Sequence, residues 1–236
     1  MKKTLAIVLS LALLCTLAIG STLSYFTDED FTKNTMTVGN VKIQQKEVFA
    51  NKSALLPYIG NPAETGFNAE LNAVTKTVTV ENIGTEGAYI RTLFAFEGIK
   101  YAGSDNYVDP IATNIIHVDY NTDNITDTET KVGAWALMGN VIVDDIPYFV
   151  YSFTYDGSFA GSTETAPSLK AIALDCEQDN TFFEAVGKEY NILVVSQAVQ
   201  STGFADAAAA FTAAFPLEKD SEGNQTVIPA NWFSQN

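Results

Sequence analysis

The chain is poor in the residues that most enzymes use. It has one histidine in 236 residues, His117, and two cysteines, Cys15 and Cys176. A single histidine excludes a His-x-x-x-His zinc pair, and no His-Glu-x-x-His stretch is present. No Walker or dinucleotide-type glycine loop is there to cradle phosphate. A Cys176/His117 pair, or a serine with His117 and an aspartate, is conceivable, but no nucleophile-elbow pattern supports either. Ile115, Ile116 and Val118 place His117 in a strand, where it reads as structural. Basic side chains are also scarce, 13 against 28 acidic ones, for a net charge of −15. Such a chain repels nucleic acid and anionic lipid headgroups. There is no long Pro/Ser linker and no fixed-period repeat, so nothing divides the chain into several domains.

The one long apolar run lies at the start. Lys2 and Lys3 precede sixteen residues, Leu5 to Gly20, that carry no charge. A membrane span needs about 20 apolar residues, so this run reads as a secretory signal, with an uncleaved anchor as the alternative. Small residues suit a cut before Tyr25, after Thr22 and Ser24, or before Ser21, after Ala18 and Gly20. Leu13 and Leu14 stand where a lipoprotein signal needs a small residue before Cys15. A cut after Ser24 removes 24 of the 236 residues and leaves 212, with 11 basic and 28 acidic side chains. That length suits one domain with a sizeable core. Cys176 is then alone, no intrachain disulfide is possible, and the residue is expected to be small, buried and apolar. Stability must come from packing, for which 15 Phe and 10 Tyr are available.

What is present is alternation. Val41 and Ile43 alternate with Lys42 and Gln44, and Val74, Val78 and Val80 with Thr75, Thr77 and Thr79. The turn-rich run 82–87 and a second strand, Ala88 to Phe96, make this a predicted hairpin. Further strands are predicted over Ile115–Tyr120, Val141–Val143, Tyr148–Tyr155, Leu169–Leu174 and Tyr190–Gln200. The fold class is all-β, a jelly-roll-like antiparallel β-sandwich. One segment departs from it. At about 204–215, alanines with Phe211 and Phe215 at i, i+4, capped by Asp206 and stopped by Pro216, predict a short helix lying on the sandwich. The tail after Leu217 reads as polar, with one aromatic pair, Trp232-Phe233. The expected organisation is a signal over 1–24, an N-terminal segment over 25–37 and one sandwich domain over 38–236.

One constellation offers metal chemistry. Asp119, Asn121, Asp123, Asp127 and Glu129 place hard oxygen ligands at near-alternate positions, which suits calcium. The match to a helix-loop-helix calcium loop fails at the sixth position, Asn124, and the twelfth, Thr130. The segment therefore reads as a solvated polar loop with calcium as a minor alternative, and no cofactor is expected.

The N-terminal residues carry a resemblance. A signal ending before Tyr25-Phe26-Thr27-Asp28, then Asn34-Thr35-Met36-Thr37-Val38-Gly39-Asn40-Val41, resembles the TasA/camelysin family of secreted bacterial proteins. Val78 to Thr85 with Ala88-Tyr89-Ile90-Arg91 resembles the family's paired strands. Ser196 to Gln200, Gly203-Phe204 and the alanine-rich helix resemble its C-terminal part. The match is specific at the N-terminus and loose between about Gly98 and Gly187. The resemblance implies a jelly-roll domain, cleavage between Ser24 and Tyr25 by a SipW-type signal peptidase, and export to the cell surface or extracellular matrix. It also implies biofilm fibres in some members, in which the N-terminal segment of one subunit adds as a strand to the next. Tyr25, Phe26, Phe31 and Met36 are the apolar positions of that candidate assembly strand. The alternatives are that it folds back as the first strand of its own domain or stays a leader. The family's metal-dependent endopeptidase label finds no zinc motif to carry it, so the expected role is structural, not enzymatic. A monomeric calcium- or ligand-binding surface module is the other alternative.

Overall fold

A computed structural model describes residues 27–30, 41–49, 56–120, 133–186 and 190–233. Two antiparallel sheets face each other. The larger has the order β1 (Thr27–Asp30), β10 (Ile192–Gln200), β4 (Ala88–Glu97), β7 (Ile146–Tyr155), β6 (Gly133–Val143). The smaller has the order β2 (Ile43–Phe49), β3 (Val74–Asn82), β9 (Leu169–Leu174), β5 (Ile116–Tyr120), with the two-residue β8 (Thr163–Glu164) also on β3. The all-β antiparallel sandwich expected from alternation is what the chain forms.

The inner faces supply the main core. Val78 and Val80 of β3, Phe94 and Phe96 of β4, Phe153 and Tyr155 of β7, and Leu169 and Leu174 of β9 meet there and are buried. The outer face of the larger sheet is apolar too. Leu93, Val150, Val195 and Val199 are covered by Phe211, Phe215, Trp232 and Phe233. Strand β4 is therefore buried on both faces, which explains its nearly unbroken apolar sequence. The predicted helix is α3 (Ala207–Ala214), and the Asp206 side chain accepts from the Ala209 amide at 2.8 Å, as a cap should. Two helices were not legible in the sequence, α1 (Pro62–Thr65) and α2 (Asn180–Val186). The tail is more than polar. After a small hairpin, β11 (Glu218–Lys219) and β12 (Gln225–Val227), it buries Ile228, Trp232 and Phe233 against the sheet.

Three sequence expectations are corrected. The predicted β3–β4 hairpin does not form, because the two strands lie in different sheets. The edges of β3 are taken by β2 and β9, and those of β4 by β10 and β7. The connection crosses the sandwich instead, held by buried Asn82, whose Nδ2 donates to Glu86 O at 2.8 Å and Phe159 O at 3.0 Å. Second, the strand expected over Val141–Val143 is the end of an eleven-residue strand, β6. Its alternation is broken by an irregularity between Leu137 and Gly139, with Gly139 at φ +146. β6 turns into β7 through Asp144 and Asp145, both exposed and both at positive φ, as a two-residue hairpin loop requires. Third, Cys176 is exposed. β9 ends at Leu174, and Asp175 Oδ1 accepts the Glu177 amide at 2.8 Å, so Cys176 sits on a turn outside the alternation.

Candidate interaction edge

β10 is the strand on which Thr27–Asp30 lie. One of its edges pairs with β4 over nine residues, from Ile192↔Phe96 to Gln200↔Ala88. Its other edge is occupied by β1 over four, Thr27↔Val199, Asp28↔Ala198, Glu29↔Gln197 and Asp30↔Ser196. Such an edge offers a row of backbone donors and acceptors to any extended segment that reaches it. The segment seated there has the sequence Thr-Asp-Glu-Asp.

Polar side chains lie under this edge on both faces of the sheet. On the inner face, Ser196 Oγ donates to Gln45 Oε1 at 2.5 Å and lies 3.2 Å from Thr92 Oγ1. Gln45 Nε2 in turn donates to Glu47 Oε1 at 2.7 Å. On the outer face, Arg91 Nε donates to Gln197 Oε1 at 2.8 Å. The Arg91 guanidinium lies 4.5 Å from the ring centre of Phe211, 5.6 Å from Phe215 and 5.5 Å from Trp232. Arg91 is the only arginine in the chain and is just 8% exposed. A planar, weakly hydrated guanidinium suits such an aromatic cage better than a lysine ammonium would. The sequence signal that marks this site is the lone arginine in a strand whose only other polar residues, apart from Tyr89, are Thr92 and the terminal Glu97.

The sheet's opposite edge is β6, where Leu137 and Ile142 are 53% and 64% exposed. Near its start, Trp135 stacks on Tyr120 of β5 at 5.1 Å and on Tyr151 at 5.5 Å, closing the sandwich between the two sheets. Burial, and then the acceptor Asp109 at 2.8 Å, push the Tyr151 hydroxyl well above its ordinary value.

His117 lies in β5 as expected, with Nε2 2.8 Å from Asp175 Oδ2. Partial burial works against the Asp175 charge, but the hydrogen bonds from His117 and from the Glu177 amide hold its carboxyl below the usual range. A surface depression of about 280 Å³ beside this pair is lined by Pro62, Ala63, Phe67, Ile111, Ile116 and His117 among others. Of the candidate calcium ligands, Asp119 is in β5 opposite Ala171, while Asn121, Asp123, Asp127 and Glu129 lie outside the described residues. The cleavage pair Ser24 and Tyr25, and the assembly positions Phe26, Phe31 and Met36, also lie outside them. Among the described residues no group of three or more His, Cys, Asp or Glu side chains is arranged to hold a metal ion, and no helix is long and apolar enough to cross a membrane. No protein-family model matches the chain, and no curated protein matches it.

Proposed function

We propose that the chain is a secreted structural protein of the bacterial surface or matrix that self-associates by β-strand addition, as some members of the TasA/camelysin family do. The observation that carries this reading is the seat of Thr27–Asp30 on the outer edge of β10. A short strand near one end of the chain, docked on a sheet edge, makes the same contacts whether its own domain or a neighbour's supplies it. Backbone hydrogen bonds then provide affinity, and alternate side chains provide register. Three acids in four residues keep the segment soluble before it docks.

Several features agree with this reading. Successive strands β3 and β4, β4 and β5, β5 and β6, and β9 and β10 change sheets, which favours the jelly-roll assignment. A SipW-type signal peptidase is the processing partner, freeing the segment at Tyr25, and the membrane is met only during export. The role is structural rather than catalytic, and nucleic acid is not a partner of so acidic a chain. The test is electron microscopy of the secreted chain beside a variant that starts at Val38. The proposal expects fibres from the first and a folded, fibre-free protein from the second. Normal fibres from the Val38 variant would sink it.

A further inference from the structure

We propose that β6 is a second association edge, on which two copies of this chain pair β6 to β6, antiparallel and about a two-fold axis. This contact is separate from the seat of Thr27–Asp30 on β10 and does not depend on strand addition there.

The four end strands of the two sheets differ in how their open edges are guarded. β1 carries three acids in four residues, β2 has Lys46 and Glu47, and β5 has His117 and Asp119. Charge and short length are common devices that keep an open edge from pairing with another chain. β6 has neither. It is the longest of the four, with eleven residues, Gly-Ala-Trp-Ala-Leu-Met-Gly-Asn-Val-Ile-Val, and carries no charge and no proline. One of its edges pairs with β7, and no strand among the described residues pairs with the other. Leu137 and Ile142 are each more than half exposed there, and Ala134, Ala136 and Asn140 are exposed beside them.

Charge selects the occupant and its direction. Two copies of a chain with a net charge of −15 repel each other, so they approach best where neither presents an acid. β6 offers such a strip, about 37 Å long at the usual rise per residue. The strand ends in the exposed acidic turn of Asp144 and Asp145. Parallel pairing would set the four carboxylates side by side. Antiparallel pairing puts the two turns at opposite ends of the strip, far beyond the Debye length of about 8 Å.

The sequence of β6 also complements itself. Its one irregularity, between Leu137 and Gly139, falls at the middle of the strand. A two-fold axis there brings the irregularities of both copies together and leaves a regular run on either side. Gly133, Ala134 and Ala136 of one copy then meet Val141, Ile142 and Val143 of the other, small residues beside larger ones. Such an isologous contact closes at two subunits and brings each central residue next to its own copy.

The experiment is chemical cross-linking of the secreted chain with a short bis-maleimide. Leu137→Cys is compared with Ile142→Cys, each also carrying Cys176→Ser, and circular dichroism checks that both fold. In the symmetric pair the two copies of residue 137 lie within about 10 Å of each other, and those of residue 142 about 27 Å apart. The expected result is covalent dimers of Leu137→Cys at least about tenfold faster than of Ile142→Cys. Equal rates, no dimers from either, or faster linking of Ile142→Cys would overturn the proposal. Strand addition at β10 joins two different positions, so it produces no excess at residue 137. Fibres without that excess leave strand addition standing and remove the β6 pair, and the excess without fibres does the reverse.

Discussion

Ser196 Oγ donates to Gln45 Oε1 at 2.5 Å, and the two residues belong to different sheets. Ser196 is on β10, whose far edge receives β1, and Gln45 is on β2, the edge strand of the smaller sheet. Both are buried, and Thr92 joins them at 3.2 Å from Ser196. A polar link of this kind inside an aromatic core fixes how the sheets face each other, because a displaced arrangement would bury the same groups with poorer partners.

Removing the hydroxyl should therefore be felt. Ser196→Ala deletes a donor to a buried carbonyl oxygen, and the expected loss is about 1–3 kcal/mol of unfolding free energy. Urea denaturation measures it. A change below about 0.5 kcal/mol would mean that the link is incidental to stability.

The outer layer makes a second prediction. Trp232 is buried against Phe215, with ring centres 6.0 Å apart, and its ring lies beside the Arg91 guanidinium. Trp232→Ala removes a large apolar side chain together with a cation–π contact, and should cost about 3–5 kcal/mol. The protein has only two tryptophans, so the fluorescence of Trp232→Ala follows unfolding through the Trp135 cluster alone. A variant as stable as the parent would show that the tail does not hold the sheet's outer face.

The core also predicts an alkaline transition. Burial lifts the Tyr155 hydroxyl to about 12, against the smaller lowering effects of hydrogen bonds with Thr165 and Ser168. Its hydroxyl donates to Ala166 O at 2.6 Å. Because the folded value exceeds the unfolded value of 10.0, the unfolded chain loses this proton first. The associated stability is complete below pH 10 and is lost as pH rises towards about 12. Urea denaturation across that window should show a steeper fall for the parent than for Tyr155→Phe. Identical slopes would contradict the assignment.

Much of this architecture was legible in the sequence. Alternation located most of the main strands, and the alanine run with Asp206 and Pro216 located α3. Pairing was not legible. Val74–Asn82 and Ala88–Glu97 have the pattern of a hairpin, and only the competition of β2, β9, β10 and β7 for their edges separates them. The length of β6 was hidden because a bulge resets its period. The exposure of Cys176 is not legible in composition, because the residue sits on the turn after β9, where alternation no longer decides which side chains are buried. For the candidate edge, the sequence pointed to the N-terminal segment, but the row joining Glu29, Gln197 and Arg91 exists only once three distant strands are in register.

The central claim is that the segment around Thr27–Asp30 docks on β10 of a neighbouring subunit during assembly. Thr27 and Val199 are directly opposite, close enough for a disulfide between cysteines placed there. Two singly substituted proteins, Thr27→Cys and Val199→Cys, are mixed and oxidised during assembly, each also carrying Cys176→Ser to remove the exposed native thiol. Strand addition predicts covalent dimers joining one protein of each kind, appearing with the fibres. Fibres that form without those mixed dimers would contradict it.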